Sequence, residues 1–325
     1  MGRIARRAIR LIGPVLLVFF IIRSNPAQLW ANLQGLTIWP ILVSLGLFPI
    51  FLIVKSWRWS LVMRELGLQP LRLSFVMALY TIGLYTGGLT PGQSGDFIKG
   101  WYLRERGLPL APVLFSILLD RLFDFAVMAG LALVGLVALV DVFSPDLQVP
   151  LQNATIAFAV IIFLTTPLLM ARRPREWGFG LAERILPQRF AEPLARIRGQ
   201  FAQLDLRAGP LAGLLGASAL SATSTLIRVG VLYLTMPLGN IPISAIVGTT
   251  ALIAILQALP ISFAGVGVRD AVLIALFTRY GYPPEQALLL SAQFLLINIE
   301  HIVLGFLVSL RYPLVGTNQS EQSTP

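Results

Sequence analysis

The chain has 325 residues, of which 56% are hydrophobic and only 12% charged, with a mean hydropathy of +0.78. A soluble domain dresses its surface with about a quarter charged residues, so this composition excludes a water-soluble globular protein and puts the mass of the chain in a bilayer. The net charge of +10 does not point to nucleic acid, because the basic residues gather between apolar segments, where they set topology and meet anionic headgroups. With no cysteine, disulfides, thiolate nucleophiles and Cys-ligated metals are excluded, and a single histidine, His301, excludes any centre built on two imidazoles.

At about 20 residues per crossing, the length allows roughly six to eight spanning helices. Arg3, Arg6, Arg7 and Arg10 precede an apolar run from Leu11 to Ile22. This has the charge pattern of a signal peptide, but it leads into Arg23-Ser-Asn-Pro26 without a small-x-small site, so it reads as an uncleaved first helix. A second span covers about Ile38 to Val54, and Lys55-Ser-Trp-Arg-Trp-Ser60 after it reads as an interfacial belt of aromatic and basic side chains. Residues 73–90 are apolar and end in Thr86-Gly-Gly-Leu-Thr-Pro-Gly-Gln-Ser-Gly-Asp96. Pro91, Gly92 and Gly95 do not belong in a regular helix, which makes 73–96 a broken or re-entrant segment.

A long helix over 110–140 follows, then a loop with Asp141 and Asp146 and a span over 154–171. The region 172–207 holds eight arginines; Phe190, Leu194, Ile197, Phe201 and Leu204 recur there at helical spacing, as in an amphipathic helix on a membrane surface. Spans follow near 209–228 and 287–310, and the polar tail 313–325 reads as disordered.

The remaining segment, 242–280, is interrupted by Leu259-Pro-Ile-Ser-Phe-Ala-Gly-Val-Gly-Val-Arg-Asp270, with Pro260, Gly265 and Gly267 as the breaking residues. An offset of 174 lays Asp96 on Asp270, Gly107 on Gly281, Pro109 on Pro283 and Asp124 on Asn298. With both interruptions treated as hairpins that do not cross, 20 of the 25 basic residues fall on the cytoplasmic side together with both termini. Three crossings then separate the hairpins, so they enter from opposite faces. The expected fold is an all-α polytopic membrane protein with two re-entrant or broken segments in an inverted-topology repeat. Its single transmembrane domain is 1–312, with repeat-like halves at about 38–140 and 209–311 joined by the basic segment 172–207.

Asp120, Arg121 and Asp124 sit well inside the helix that starts near 110. A charge at the centre of a spanning helix costs about 2.5–3.5 kcal/mol on insertion scales, so it needs a reason. Arg121 and Asp124 can pair on one face; three charges exceed what one pair requires and suggest a polar cavity where Arg121 binds a phosphate. Arg269 follows Gly265-Val-Gly267 at a helix start, a place that favours an anion. Asp96 and Asp270 have a capping role as their simpler explanation. Arg228 reads as a snorkelling residue, Glu300-His301 as a helix-packing pair, and Asn298 as the counterpart of Asp124. No Ser-His-Asp set, nucleotide loop, cofactor motif or metal-ligand cluster is present in the sequence.

Gly87-Gly-Leu-Thr-Pro-Gly-Gln-Ser-Gly-Asp96, Asp120-Arg-Leu-Phe-Asp124 and Leu259 to Asp270 together resemble the lysylphosphatidylglycerol synthase transmembrane-domain family, also called the flippase-like domain family. The resemblance runs from about residue 10 to 312. It implies a multi-pass protein of the cell membrane that moves lipid between leaflets, here as a stand-alone member without the soluble aminoacyltransferase domain, so aminoacyl transfer is not carried over. Asp at 96, 120 and 270 stands where many relatives carry Glu, which shortens the reach and leaves headgroup specificity open.

The leading expectation is a transporter of a phosphate-containing lipid, aminoacylated or glycosylated or neither, with the headgroup held in a polar intramembrane cavity and no enzymatic activity. Its partners are membrane lipids, either anionic phospholipid or polyprenyl-linked lipid, and a separate lipid-modifying enzyme that supplies them. Transport is downhill or coupled to protons through Asp120, Asp124 or Glu300. A secondary transporter of a small soluble anion and a membrane-embedded lipid-carrier transferase are the alternatives.

Overall fold

The computed structural model describes residues 26–139, scattered positions between 149 and 164, and 172–185, 187, 191–201, 208–258 and 265–314. The expected first helix, Pro260 and the tail beyond residue 314 lie outside the described residues. The chain is an all-α membrane protein, without a strand among the described residues. The helices are α1 (Pro26–Gln34), α2 (Trp39–Gly46), α3 (Phe48–Glu65), α4 (Leu73–Gly88), α5 (Ile98–Glu105) and α6 (Leu110–Leu139). They continue as α7 (Arg172–Ile185), α8 (Ala191–Phe201), α9 (Ala208–Gly230), α10 (Ile243–Ala258), α11 (Val268–Arg279) and α12 (Pro284–Arg311). Short 3-10 turns cover Pro91–Phe97 and Val231–Thr235.

Among the described residues three stretches are long and apolar enough to cross a membrane, Trp39–Glu65, Ala212–Thr235 and Pro284–Arg311. The distribution of side chains fits a lipid solvent. Leu42, Ile50, Leu307 and Leu310 are exposed, whereas Lys55, Arg58, Lys99, Asp120 and Arg228 are buried. A water-soluble fold would reverse that preference.

α2 and α3 form one rod with a bend at Leu47. Pro49 in the first turn of α3 has no N–H to give, and starting a new helix there avoids a missing bond in the middle of a continuous one. The rod runs on to Glu65, beyond the apolar residues that set the expected end near Val54. The interfacial belt expected at residues 55–60 is therefore not one: Lys55, Ser56, Arg58 and Trp59 face the interior of the bundle.

α4 ends at Gly88, and the chain turns back along it through Pro91–Phe97 into α5. Gly92 (φ 61°) and Gln93 (φ 55°) take the left-handed conformation that makes the reversal. Gly95 then lies against the α4 backbone, where a Cβ would collide with the Thr86 carbonyl. Thr86 and Thr90 tie the turn to the helix: Thr86 Oγ1 donates to the Gly95 carbonyl (2.8 Å) and the Gly95 N–H donates to Thr90 Oγ1 (2.6 Å).

α10 and α11 form the corresponding pair, which re-enters helix through Gly265 (φ 74°) and Gly267 (φ 84°). The offset of 174 holds in the backbone. Leu108 N–H bonds the Leu103 carbonyl and Gly107 N–H bonds that of Arg104; Tyr282 and Gly281 repeat this onto Phe277 and Thr278. Both are Schellman ends on a left-handed glycine. α6 and α12 then begin 174 residues apart, at Leu110 and Pro284. The halves also exchange partners, since α4 packs along α12 and α10 packs along α6. At the first of these contacts Gly305 lets α12 approach the Thr81 carbonyl.

The basic region forms two helices, α7 and α8. Arg198 on α8 clips them together through Glu176 (2.7 Å) and Glu183 (2.8 Å). Leu194 is partly covered, whereas Trp177, Leu181 and Ile185 on α7 form an exposed apolar stripe. Phe190 and Leu204 lie outside the described residues.

Candidate functional site

α3 and α6 meet through four charged side chains. Lys55 Nζ lies 2.7 and 2.9 Å from the two Asp124 oxygens. Arg58 donates through Nε to Asp120 Oδ1 (2.8 Å), through Nη2 to the Asp120 carbonyl (3.0 Å), and through Nη1 to Asp124. Tyr80 Oη adds a 3.3 Å bond to Asp120 Oδ2, and Ser221 Oγ one of 3.3 Å to Asp124 Oδ1. Residues 55 and 58 fall on one helix face, as do 120 and 124, so each helix presents two charges of one sign to the other. The expected Arg121–Asp124 pair does not form, because two bases from α3 occupy Asp124.

Arg121 points to the broken segment instead. Its guanidinium is 3.2 Å from Asp96 Oδ2, 2.9 Å from the Gln93 carbonyl and 3.4 Å from Gln93 Oε1. The other Asp96 oxygen lies 2.7 Å from Lys99 Nζ in an ion pair. Lys99 also sits over the Trp59 and Tyr80 rings, at 4.5 and 4.4 Å. Gly83 makes room for this arrangement, since a Cβ there would collide with Asp96 Oδ1. Asp96 is thus not a helix cap as expected but the carboxylate that joins α5 to α6.

A second network closes the opposite wall. Arg228 donates to the Ser44 carbonyl (2.9 Å), contacts His301 Nε2 (2.7 Å) and pairs with Glu300. A guanidinium has no acceptor, so His301 Nε2 must accept, and the ring is neutral with its proton on Nδ1. The ring lies on Phe51 at 5.6 Å, and Arg228 lies over Phe48 and Phe51. Arg228 is 2% exposed and is therefore a structural link between α2, α9 and α12, not a snorkelling residue.

Between these networks is a cavity of about 250 Å³. Lys55, Asp96, Arg121 and Asp124 line it, with Gly92 and Gln93 of the first break; Thr225, Arg228, Thr250, Gln257, Asn298 and His301 line it as well. The structure thereby brings together Asp96, Arg121, Asp124, Asn298 and Gly92 of the residues singled out in the sequence. Asp120 is turned from the cavity into the Arg58 contact. Arg269 is not among the cavity-lining residues; it is buried on α11 with its Nε donating to Ser291 Oγ (2.7 Å). Asp270 caps α11 by accepting the Gly267 N–H at 2.6 Å. Gly265 approaches the Gln257 side chain that lines the cavity. Pro91 begins the first break and Gly95 holds it to α4, both as backbone-shaping residues.

Sequence reasoning passed over Lys55, Arg58 and Lys99. The signal was available: two carboxylates on α6 against one arginine require bases from another helix, and Lys55 and Arg58 have the matching spacing.

The model of the lysylphosphatidylglycerol synthase TM region matches residues 8–305. The chain belongs to this family. No curated protein and no solved structure matches it. Family membership fits a protein of the membrane.

Proposed function

We propose that the protein is a lipid transporter, not an enzyme, that moves a phosphate-containing lipid between the leaflets of the cell membrane. The observation that carries the reading is the charged cavity beside the first helix break, with Arg121 at its wall. Its volume of about 250 Å³ is below the roughly 300–1,000 Å³ of sites for drug-sized ligands. That suits a headgroup and leaves no room for two acyl chains, which stay in the bilayer. The two breaks enter from opposite faces in this reading, with both termini cytoplasmic, so that rocking of one half against the other exposes the cavity to each leaflet in turn. Transport runs down the lipid gradient, because Asp120, Asp124 and Glu300 are all held in ion pairs. A separate lipid-modifying enzyme supplies the substrate.

The test is leaflet exchange of acyl-labelled phospholipids in proteoliposomes, read by quenching of the outer leaflet. Wild type is expected to accelerate exchange and Arg121→Ala to abolish it. Exchange at the wild-type rate in folded Arg121→Ala protein refutes the reading.

A further inference from the structure

The charges around the cavity do not cancel, and their imbalance lies at one place. Lys55 and Arg58 balance Asp120 and Asp124. Arg228 balances Glu300, and neutral His301 adds nothing. At the first break, however, one carboxylate, Asp96, is shared by two cations, Lys99 and Arg121. Lys99 is fully buried beneath aromatic rings, while Arg121 is 17% exposed and lines the cavity. The three networks together therefore leave one positive charge in excess, presented to the cavity by Arg121. In a low-dielectric site such an excess selects against any ligand that does not bring one negative charge.

On the other side Arg228 and His301 line the cavity, with Arg228 already paired to Glu300, and the remaining polar groups carry no charge. Thr225, Thr250, Gln257 and Asn298 contribute two hydroxyls and two carboxamides to the lining, the Thr225 hydroxyl donating to the Ser221 carbonyl (3.1 Å). These groups both donate and accept, as needed for hydroxyl groups. Among the described residues the carboxylates on the cavity are Asp96 and Asp124, both already bonded to fixed cations, so neither is available to an ammonium group without breaking an ion pair.

From these two sides we infer that the ligand is a phosphodiester with one net negative charge and a neutral, hydroxyl-rich headgroup, such as a glycerol or a sugar, and not an aminoacylated or zwitterionic lipid. The phosphate sits at Arg121 and the hydroxyls face the Thr225–Asn298 wall. The inference rests on the transport reading for its lipid source, but the ligand chemistry is set by the cavity alone.

The experiment compares acyl-labelled phosphatidylglycerol, phosphatidylmethanol, phosphatidylethanolamine, phosphatidic acid and lysyl-phosphatidylglycerol in the same exchange assay. Phosphatidylglycerol is expected to exchange at least about tenfold faster than the other four, given that one well-made charge contact, or for phosphatidylmethanol the lost hydroxyl hydrogen bonds, changes a rate or affinity by about that order. A Thr225→Val/Gln257→Leu variant should bring phosphatidylglycerol down to the phosphatidylmethanol rate, and Arg121→Gln should remove the preference for the monoanion. Lysyl-phosphatidylglycerol or phosphatidylethanolamine moving as fast as phosphatidylglycerol overturns the charge inference while leaving lipid transport intact. Equal rates for phosphatidylglycerol and phosphatidylmethanol overturn the hydroxyl wall. If no lipid moves, the transport reading fails, and thermal stabilisation of the detergent-solubilised protein by water-soluble glycerophosphoglycerol decides the rest. Stabilisation that Arg121→Gln removes keeps the ligand class with a soluble source, and its absence overturns the inference.

Discussion

Arg58 is the residue on which the membrane-embedded charges depend, and its removal has a calculable consequence. It is completely buried, and it binds the side chain and carbonyl of Asp120 as well as Asp124. Replacing it with methionine keeps most of the volume but leaves Asp120, itself 2% exposed, with only the long bond from Tyr80. Breaking a buried pair by removing one partner costs about 3–5 kcal/mol, because the remaining charge is stranded. Arg58→Met should therefore lose about that much stability, measured by reversible unfolding in mixed micelles. Asp120→Asn alone should cost less, about 1–3 kcal/mol, since Asp124 still serves Arg58. Arg58→Met/Asp120→Asn should recover part of the single-mutant loss, because the stranded charge is gone and Lys55 still neutralises Asp124. The cycle should show a coupling of about 1.5 kcal/mol or more, against about 0.3–0.5 kcal/mol for independent sites. Additivity within that lower limit refutes the claim that α3 and α6 are joined by this pair.

Gly83→Ala places a methyl group on Asp96 Oδ1, so the carboxylate must leave either Lys99 or Arg121; exchange should fall at least about tenfold, with a stability loss of about 1–3 kcal/mol. Lipid exchange at the wild-type rate in Gly83→Ala would show that the Asp96 position is not critical. Gln93→Gly should stabilise the protein by about 1 kcal/mol in the same unfolding assay, because a non-glycine residue at φ 55° is strained. The same variant removes the carboxamide beside Arg121, and phosphatidylglycerol exchange will report whether that contact matters. Asp270→Ala removes the cap on the Gly267 N–H and should cost about 0.5–2 kcal/mol while leaving the ranking of lipids unchanged. A changed ranking would place α11 in the site.

What was legible in the sequence divides along physical lines. Helix breaks are local: a proline and two glycines within five residues, Pro91, Gly92 and Gly95, disfavour a continuous helix, and the turn at Gly92–Gln93 lies where they are. The Gly107 and Gly281 ends were legible for the same reason, as was the start of α6 near residue 110. Which charges face inward is not local. Lys55, Arg58 and Trp59 have the composition of an interfacial belt, and only the packing of α3 on α6 and α4 turns them inward. The same holds for Arg228, whose position near the end of a span fits snorkelling until α2 and α12 supply Ser44 and Glu300.

The two halves share a frame and divide the chemistry. Position for position, Asp120, Arg121 and Asp124 of α6 correspond to Phe294, Leu295 and Asn298 of α12, so every formal charge of the first set is neutral in the second. Asp124 and Asn298 both line the cavity, and Gln93 and Gly267, both left-handed, correspond as well. Helices of both halves pack on one another and line one cavity. At these positions the first half brings charge to the cavity and the second no polar group but the amide of Asn298, so the two sides are unequal. On the transport reading proposed above, such a site would hold a headgroup by charge at one end and by hydrogen bonds at the other. The frame supplies the two ends, and the substitutions that broke its symmetry supply the difference between them.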